Sequence, residues 1–314
     1  MINNNDDPTE EDHFEDLSDV ELELPLKPKW KKMNSPKQAL HLKPVTGRPR
    51  IPQYLRLLWS RRYFINAESK AKAFQSSKNM LLGHAWVLLS PLLDAAVFGL
   101  IFGLLLHTSR GIDNFLPYLF VGITFFGFTN RALNGGAGLI RANRNVIRAF
   151  AFPRAALVIS QTLREFYDSI PIIAITLVVV VLFPQGTGTI YATWILFPII
   201  YFLQILFGMG LTFLSAYLTS IIPDIKTVIN YFTRFWFYTS GVFFSIDRFV
   251  EHPNVITMMK LNPAYNILEM TRNVLIYGVV PNPSSWFALL AAALISLSSG
   301  FLLFWSREVK YARG

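Results

Sequence analysis

The 55 residues from Ser169 to Pro223, SIPIIAITLVVVVLFPQGTGTIYATWILFPIIYFLQILFGMGLTFLSAYLTSIIP, contain no Lys, Arg, Asp or Glu. A bilayer core about 30 Å thick is crossed by roughly 20 apolar residues of helix, so this stretch holds two crossings and a turn. The turn is legible in its middle, where Pro184-Gln185-Gly186-Thr187-Gly188-Thr189 interrupts the apolar run. A soluble globular core is excluded, and the chain reads as an integral membrane protein.

The rest of the composition agrees. Of 314 residues, 52% are hydrophobic and 16% charged, against about 25% charged in soluble domains. Cysteine is absent, which excludes disulfides, zinc-thiolate sites and thiol nucleophiles. Charge is divided along the chain. Ten of the 20 acidic residues lie between Asp6 and Glu23, where no Lys or Arg occurs, leaving 29 basic residues against 10 acidic ones in the remainder. The acidic stretch has no apolar core, so it does not read as a cleavable signal peptide; it reads as a solvated tail. A basic, proline-broken linker follows from Lys27 to Arg50, suited either to anionic lipid or to a plain tether.

Ile51–Ile65 (IPQYLRLLWSRRYFI) mixes Tyr54, Leu55, Leu58, Trp59 and Ile65 with Arg56, Arg61 and Arg62. It is too short and too charged to span, and its three-to-four spacing predicts an amphipathic helix in the interface plane. Six spans are expected beyond it: about His84–Leu106, Leu116–Ile140, Ala155–Phe183, Ile190–Ile222, Thr227–Ile246 and Ser284–Trp305. With a cytoplasmic N-terminus, the inside segments hold 22 Lys and Arg and the outside segments four. The positive-inside rule therefore places both termini in the cytoplasm. Before the last span, Asn262 suits an N-cap and Pro263 a first helical residue. Ala264, Ile267, Leu268, Thr271, Val274 and Leu275 then form a stripe, Glu269 can pair with Arg272, and Gly278 is a terminator. This predicts a short helix at or re-entering the outer membrane face, an outer gate or vestibule built on Asn262, Pro263, Glu269 and Arg272. The expected fold is thus all-α and membrane-integral: a tail over residues 1–50, the interfacial helix and lead-in over 51–82, six spans over 83–306 and a cytoplasmic tail over 307–314.

Several segments, in order, resemble the permeases of ABC type-2 polysaccharide exporters. Leu82-Gly83-His84-Ala85-Trp86 through Pro91 resembles the start of their first span, and Leu116-Pro117-Tyr118 with Gly122 the start of the second. Asn143 to Arg154, closing in Phe152-Pro153-Arg154, resembles their second cytoplasmic connection. Asp224, the aromatic Phe235-Trp236-Phe237 and Leu261-Asn262-Pro263 followed by Arg272 complete the series. Met80, Pro223 and Gly241 depart from the usual Ser, Arg and Pro. The resemblance covers about Pro52 to Arg307 and is closest to exporters of O-antigen, teichoic acid and related lipid-linked glycans. The acidic extension resembles that of members exporting cell-wall galactan. It implies a homodimer in the cytoplasmic membrane of a bacterium, two copies of a separate ABC ATPase, and a route between the permease copies for a polyprenyl-diphosphate-linked glycan.

The sequence contains no Gly-Lys dipeptide and hence no phosphate-cradling Walker A loop. Catalytic residues, a metal site, a cofactor on this chain and nucleic-acid binding are not expected; ATP and Mg belong to the partner. Arg56 and Arg61 on the interfacial helix, with Arg141, Asn143, Arg144, Asn145 and Arg148 in the connection, are the candidates for ATPase coupling, or else simply enforce orientation. Arg164 and Asp168, four residues apart beside Glu165, can pair. Charges inside spans face the bundle interior or water, so they either line the route or brace helices. Asp94 has Arg131 and Arg234 as candidate counter-ions. Tyr231, Phe235 and Tyr238 share a helical face, with Phe232 and Trp236 adjacent; aromatic faces suit sugar rings in transit, or else lipid. Two other functions stay open: the same machine exporting a drug or small lipid, and an integral-membrane polyprenyl-lipid transferase.

Overall fold

A computed structural model describes residues 50–75, 114–150, 152–183, 190–244 and 258–313, with isolated positions between 89 and 100. Among these residues every regular element is helical. The expected first span, with His84 and Asp94, lies almost wholly outside the described residues, as does the Pro184–Thr189 turn.

Helix α1 (Ile51–Ser60) starts with Pro52 in its first turn, where a missing N–H costs nothing. The chain breaks at Arg61 and resumes as α2 (Arg62–Gln75), so the continuous helix expected through Ile65 is two helices. The break lets Tyr54 face the domain from one helix while Ile65 and Ser69 do so from the other. There Ser69 Oγ donates to the carbonyl of Ser160 at 3.0 Å, and Asn66 accepts from the Tyr167 hydroxyl at 2.6 Å.

Helix α3 (Phe115–Gly136) is deeply enclosed, with 15 of its 22 residues buried. It is followed by the short α4 (Leu139–Ala142) and α5 (Arg144–Ala149), then by α6 (Ala155–Leu182). A 3-10 turn (Ala192–Leu196) leads into α7 (Phe197–Ile221). After α8 (Ile225–Thr239) come α9 (Pro263–Arg272), its π-helical extension Asn273–Tyr277, α10 (Pro283–Ser306) and α11 (Glu308–Arg313). Three of these are long and apolar enough to cross a membrane: Ala155–Leu182, Ala192–Ile221 and Pro283–Ser306. They coincide with the expected third, fourth and sixth spans. Most of each apolar window is left uncovered by protein, as lipid contact requires. By contrast α3 touches protein on most sides, so it tolerates Asn130, Arg131 and Asn134 in its second half.

Lipid supplies no hydrophobic drive between helices, so close packing and shared hydrogen bonds hold such bundles. Helices α7 and α10 meet where Gly210 faces Ser296 and Gly300; a Cβ on Gly210 would collide with the Ser296 backbone, and one on Gly300 would sit 2.5 Å from the Gly210 carbonyl. Helix α3 is tied to its neighbours by polar side chains. Gln204 donates to the Phe125 carbonyl at 2.7 Å, Thr212 to that of Ala132 at 2.9 Å, and the Thr124 and Thr176 hydroxyls lie 2.9 Å apart.

Helix α8 is shorter than expected. It has 15 residues and closes at Ser240-Gly241, with Gly241 at φ +65°. At 1.5 Å per residue it reaches about 22 Å, less than a bilayer core.

Candidate transport route and cytoplasmic coupling face

The last turn of α3 ends at Ala137, and Gly138 adopts φ +83°, a left-handed geometry for which glycine is suited. Its N–H donates to Thr219 Oγ1 at 3.0 Å, which anchors the turn to α7. Helices α4 and α5 then run as two short pieces hinged at Asn143, whose side chain donates to the Leu139 carbonyl (2.8 Å) and accepts from Lys72 (3.4 Å). Ile147 pins the connection to the domain, while Arg141, Arg144, Asn145 and Arg148 are all exposed. Arg56 and Arg61 are exposed as well. The candidate coupling residues thus stand outward, except for Asn143, which is half-buried and serves as the hinge.

Beneath this surface is a cluster whose partners are too far apart in sequence to be seen there. Glu308, the first residue of α11, is 2% exposed. Its Oε2 accepts from the Tyr54 hydroxyl at 2.8 Å, and its Oε1 from the Arg154 N–H (2.9 Å) and guanidinium (3.2 Å). The Tyr54 oxygen in turn accepts from the Ala155 N–H at 3.0 Å. One carboxyl therefore joins α1, the Phe152-Pro153-Arg154 corner and the C-terminal helix. Burial pushes its pKa above the usual carboxylate range, although the Arg154 N–H, the Tyr54 hydroxyl and the Arg154 charge each pull it down. Burial, reinforced by the Glu308 charge, pushes the Tyr54 phenol up and keeps it a donor. The available signal was a lone acid among Arg307, Lys310 and Arg313, directly after the last span.

Within the spans, Arg164 and Asp168 pair at 3.5 Å as their spacing predicted. Arg131 Nε lies 3.2 Å from Glu165 Oε2, and Gln161 donates to Glu165 Oε1 at 2.8 Å; the expected pairing with Asp94 lies outside the described residues. Glu165 is buried, so the α3–α6 pair braces two helices. Arg234 is exposed, with its guanidinium 5.9 Å from the Tyr231 ring centroid.

The aromatic residues of α8 separate into two sets. Tyr231, Phe235 and Tyr238 are 67%, 67% and 60% exposed, and Phe232 is 51% exposed; only Ile229 and Thr233 of this helix are buried. Trp236 leaves that set. Its ring packs edge-on against Phe126 and Phe207, and its Nε1 donates to Asn262 Oδ1 at 2.8 Å. An indole N–H takes a fixed partner when enclosed, so Trp236 belongs to the joint between α8 and α9.

At the α9 end, the expected cap forms: Asn262 Oδ1 accepts from the Ala264 N–H at 3.0 Å, and Asn262 Nδ2 donates to Ser240 Oγ at 3.0 Å. Pro263 occupies the first turn. All six stripe residues are buried, and Gly278 ends the element at φ +65°. Arg272 departs from expectation. Rather than reaching for Glu269 one turn back, its guanidinium, 3% exposed, turns inward. It donates to the carbonyls of Gly241 (2.9 Å), Val242 (2.9 Å) and Tyr118 (3.2 and 3.3 Å) and lies over the Tyr118 ring. A Cβ on Gly122 would come within 2.6 Å of that guanidinium, so this glycine makes the space. Arg272 thereby staples the end of α8 to the start of α3.

Comparison with known proteins places this architecture. The chain is 24% identical over 268 residues to an O-antigen export system permease protein, RfbA, of Myxococcus xanthus, covering 83% of this chain and 95% of that one. It is 26% identical over 208 residues to an O-antigen export system permease protein RfbA of Klebsiella pneumoniae, covering 65% and 76%. To the polysialic acid transport protein KpsM of Escherichia coli it is 19% identical over 227 residues, covering 72% and 86%. The profile of the ABC-2 type transporter family matches residues 67–276, from α2 through the fixed α8–α9 joint to the end of the π-helical turn, and the chain belongs to that family of membrane proteins.

Proposed function

We propose that this chain is the permease subunit of an ATP-driven exporter that carries a polyprenyl-diphosphate-linked polysaccharide across the cytoplasmic membrane. The observation that carries the reading is a match along 95% of an O-antigen export permease by a chain without a Walker A loop. A transporter that must be powered but has no phosphate cradle takes its ATP and Mg from a partner ATPase. Two copies of each subunit form the working unit, with the multi-pass permease crossing six times and both termini cytoplasmic.

In this reading α1 lies in the cytoplasmic interface, and Leu55, Trp59, Tyr63 and Phe64, all exposed, meet headgroups or the ATPase. Arg56, Arg61, Arg141, Arg144, Asn145 and Arg148 face the ATPase, with Asn143 as hinge. The Tyr54–Glu308–Arg154 cluster makes α1, the connection and α11 move together when the ATPase closes. The glycan passes between permease copies along Tyr231, Phe232, Phe235 and Tyr238. Sugar C–H faces pack on such rings while their hydroxyls keep water, which permits sliding without deep traps. The Arg164–Asp168 pair borders the route, and Asn262, Pro263 and Glu269 frame its outer end, with Arg272 holding the end of α8 to α3 behind them. O-antigen, teichoic acid and cell-wall galactan are cargoes of the required chemistry.

Deletion of the gene tests the proposal. Lipid-linked glycan is expected to accumulate where an externally added lectin reaches it only after the cells are opened. Undiminished surface glycan in the deletion strain contradicts it.

A further inference from the structure

Where α4 and α5 approach the ends of α7 and α10 lies an open-sided hollow of about 480 Å³, which Arg141 and Arg144 border from its exposed side. It is lined by Ile140, Arg141, Arg144, Ser220, Arg307, Lys310 and Tyr311. Four of these seven residues are cations and none is acidic. Glu308, next in sequence to Arg307, turns its carboxylate onto Tyr54 and Arg154 instead. Among the described residues, no carboxylate lies within ion-pair distance of Arg141, Arg144, Arg307 or Lys310. Unpaired cations from three elements converging on one hollow raise its potential and favour an anion.

A second observation comes from Tyr311. The residue is 6% exposed, and Ser220 is the polar side chain its hydroxyl meets, without a hydrogen bond of full geometry between them. Ser220 stands beside it but donates its own proton to the Tyr217 carbonyl at 2.6 Å. A buried hydroxyl so weakly partnered favours a further acceptor, and here it borders the cationic hollow, able to donate to an oxygen bound there. Burial pushes the phenol pKa up, so the proton stays on.

We infer that this hollow binds the phosphate of an anionic phospholipid. Guanidinium groups hold phosphate oxygens through paired N–H donors, and three arginines, one lysine and one phenol form a donor-rich set without a carboxylate. The position argues for a lipid source. Ser220 lies at the end of α7 and Arg307 directly after α10, two helices apolar enough to span. Basic pockets between the cytoplasmic ends of spans take anionic headgroups. A carboxylate from a protein partner would neutralise one cation and leave most of the hollow unfilled. A bound headgroup would clamp α4 and α5 against α7 and α10, fixing the connection whatever meets its outer side. The site depends only on the chain lying in a membrane, not on the identity of the cargo.

Native mass spectrometry of the full-length chain released from nanodiscs tests the site, with phosphatidylglycerol against phosphatidylcholine as probes. The wild type is expected to retain phosphatidylglycerol preferentially, and R144Q/R307Q to retain at least tenfold less. R144K/R307K, which keeps the charge, should hold most of it and guards against misfolding. R50Q/K226Q removes two exposed cations elsewhere and should bind as the wild type does. Equal loss in R50Q/K226Q would reduce the effect to diffuse surface charge and overturn the inference, as would unchanged retention in R144Q/R307Q. Displacement of the lipid by millimolar inorganic phosphate would assign the hollow to a soluble anion and overturn the lipid source.

Discussion

Helices α8 and α9 are both short, both carry an apolar stripe at helical spacing, and both abut Asn262. Their fates differ. The aliphatic stripe of α9, Ala264 to Leu275, is buried against α3 and its neighbours, whereas the aromatic stripe of α8 is uncovered over Tyr231, Phe235 and Tyr238. Periodicity in a membrane chain therefore identifies a face but not what covers it. Side-chain chemistry separates the two: branched aliphatics interlock with other helices, while tyrosines keep a polar tip that a closed core must satisfy. The aromatic face of α8 is left open beside a well-filled aliphatic one.

The comparison breaks most sharply at the α9 end. Truncating Leu268 to Ala should cost about 2–5 kcal/mol, as buried leucines do. Arg272→Met should cost about 3 kcal/mol or more, because the Tyr118, Gly241 and Val242 carbonyls lose their donors. Both are read from reversible unfolding in micelles, and a loss below 1 kcal/mol in both would remove α9 from the core. Next in size is the cytoplasmic cluster. A carboxyl whose pKa is raised by folding binds its proton more tightly in the fold. Its contribution is full below the ordinary carboxylate range and lost as pH rises through the raised value. Stability of the wild type relative to Glu308→Gln should therefore fall as pH climbs across that interval; a difference independent of pH would mean that Glu308 is not buried as described. The smallest effect on stability belongs to α8. Tyr231→Ser, Phe235→Ser and Tyr238→Ser should each shift it by no more than about 0.5 kcal/mol, as exposed sites do.

Much of this arrangement was readable beforehand, and the failures have a common cause. The third, fourth and sixth spans follow from uninterrupted apolarity, and the α9 cap, stripe and Gly278 terminator follow from local spacing. So does the Arg164–Asp168 pair. The contacts that sequence missed join residues distant along the chain: Tyr54 with Glu308 across 254 positions, Arg272 with Tyr118 across 154, Arg131 with Glu165 across 34. No periodicity encodes such a pairing. The contact of Trp236 escapes the sequence for a related reason. Spacing places it with Phe232 beside the Tyr231, Phe235 and Tyr238 face, while its indole donates to Asn262, 26 residues away. The end of α8 at Gly241 was hidden by the apolar residues that follow, which extend the hydropathy beyond the helix.

Transport in reconstituted vesicles tests the central claim most directly. The full-length chain and its ATPase, supplied with lipid-linked glycan and ATP, should deliver glycan to the opposite leaflet. With Y231S/F235S/Y238S, delivery should fall at least tenfold while the complex stays assembled and ATP turnover continues. Delivery by the permease without any ATPase, or undiminished delivery by the triple variant, would contradict an externally powered route along the aromatic face of α8.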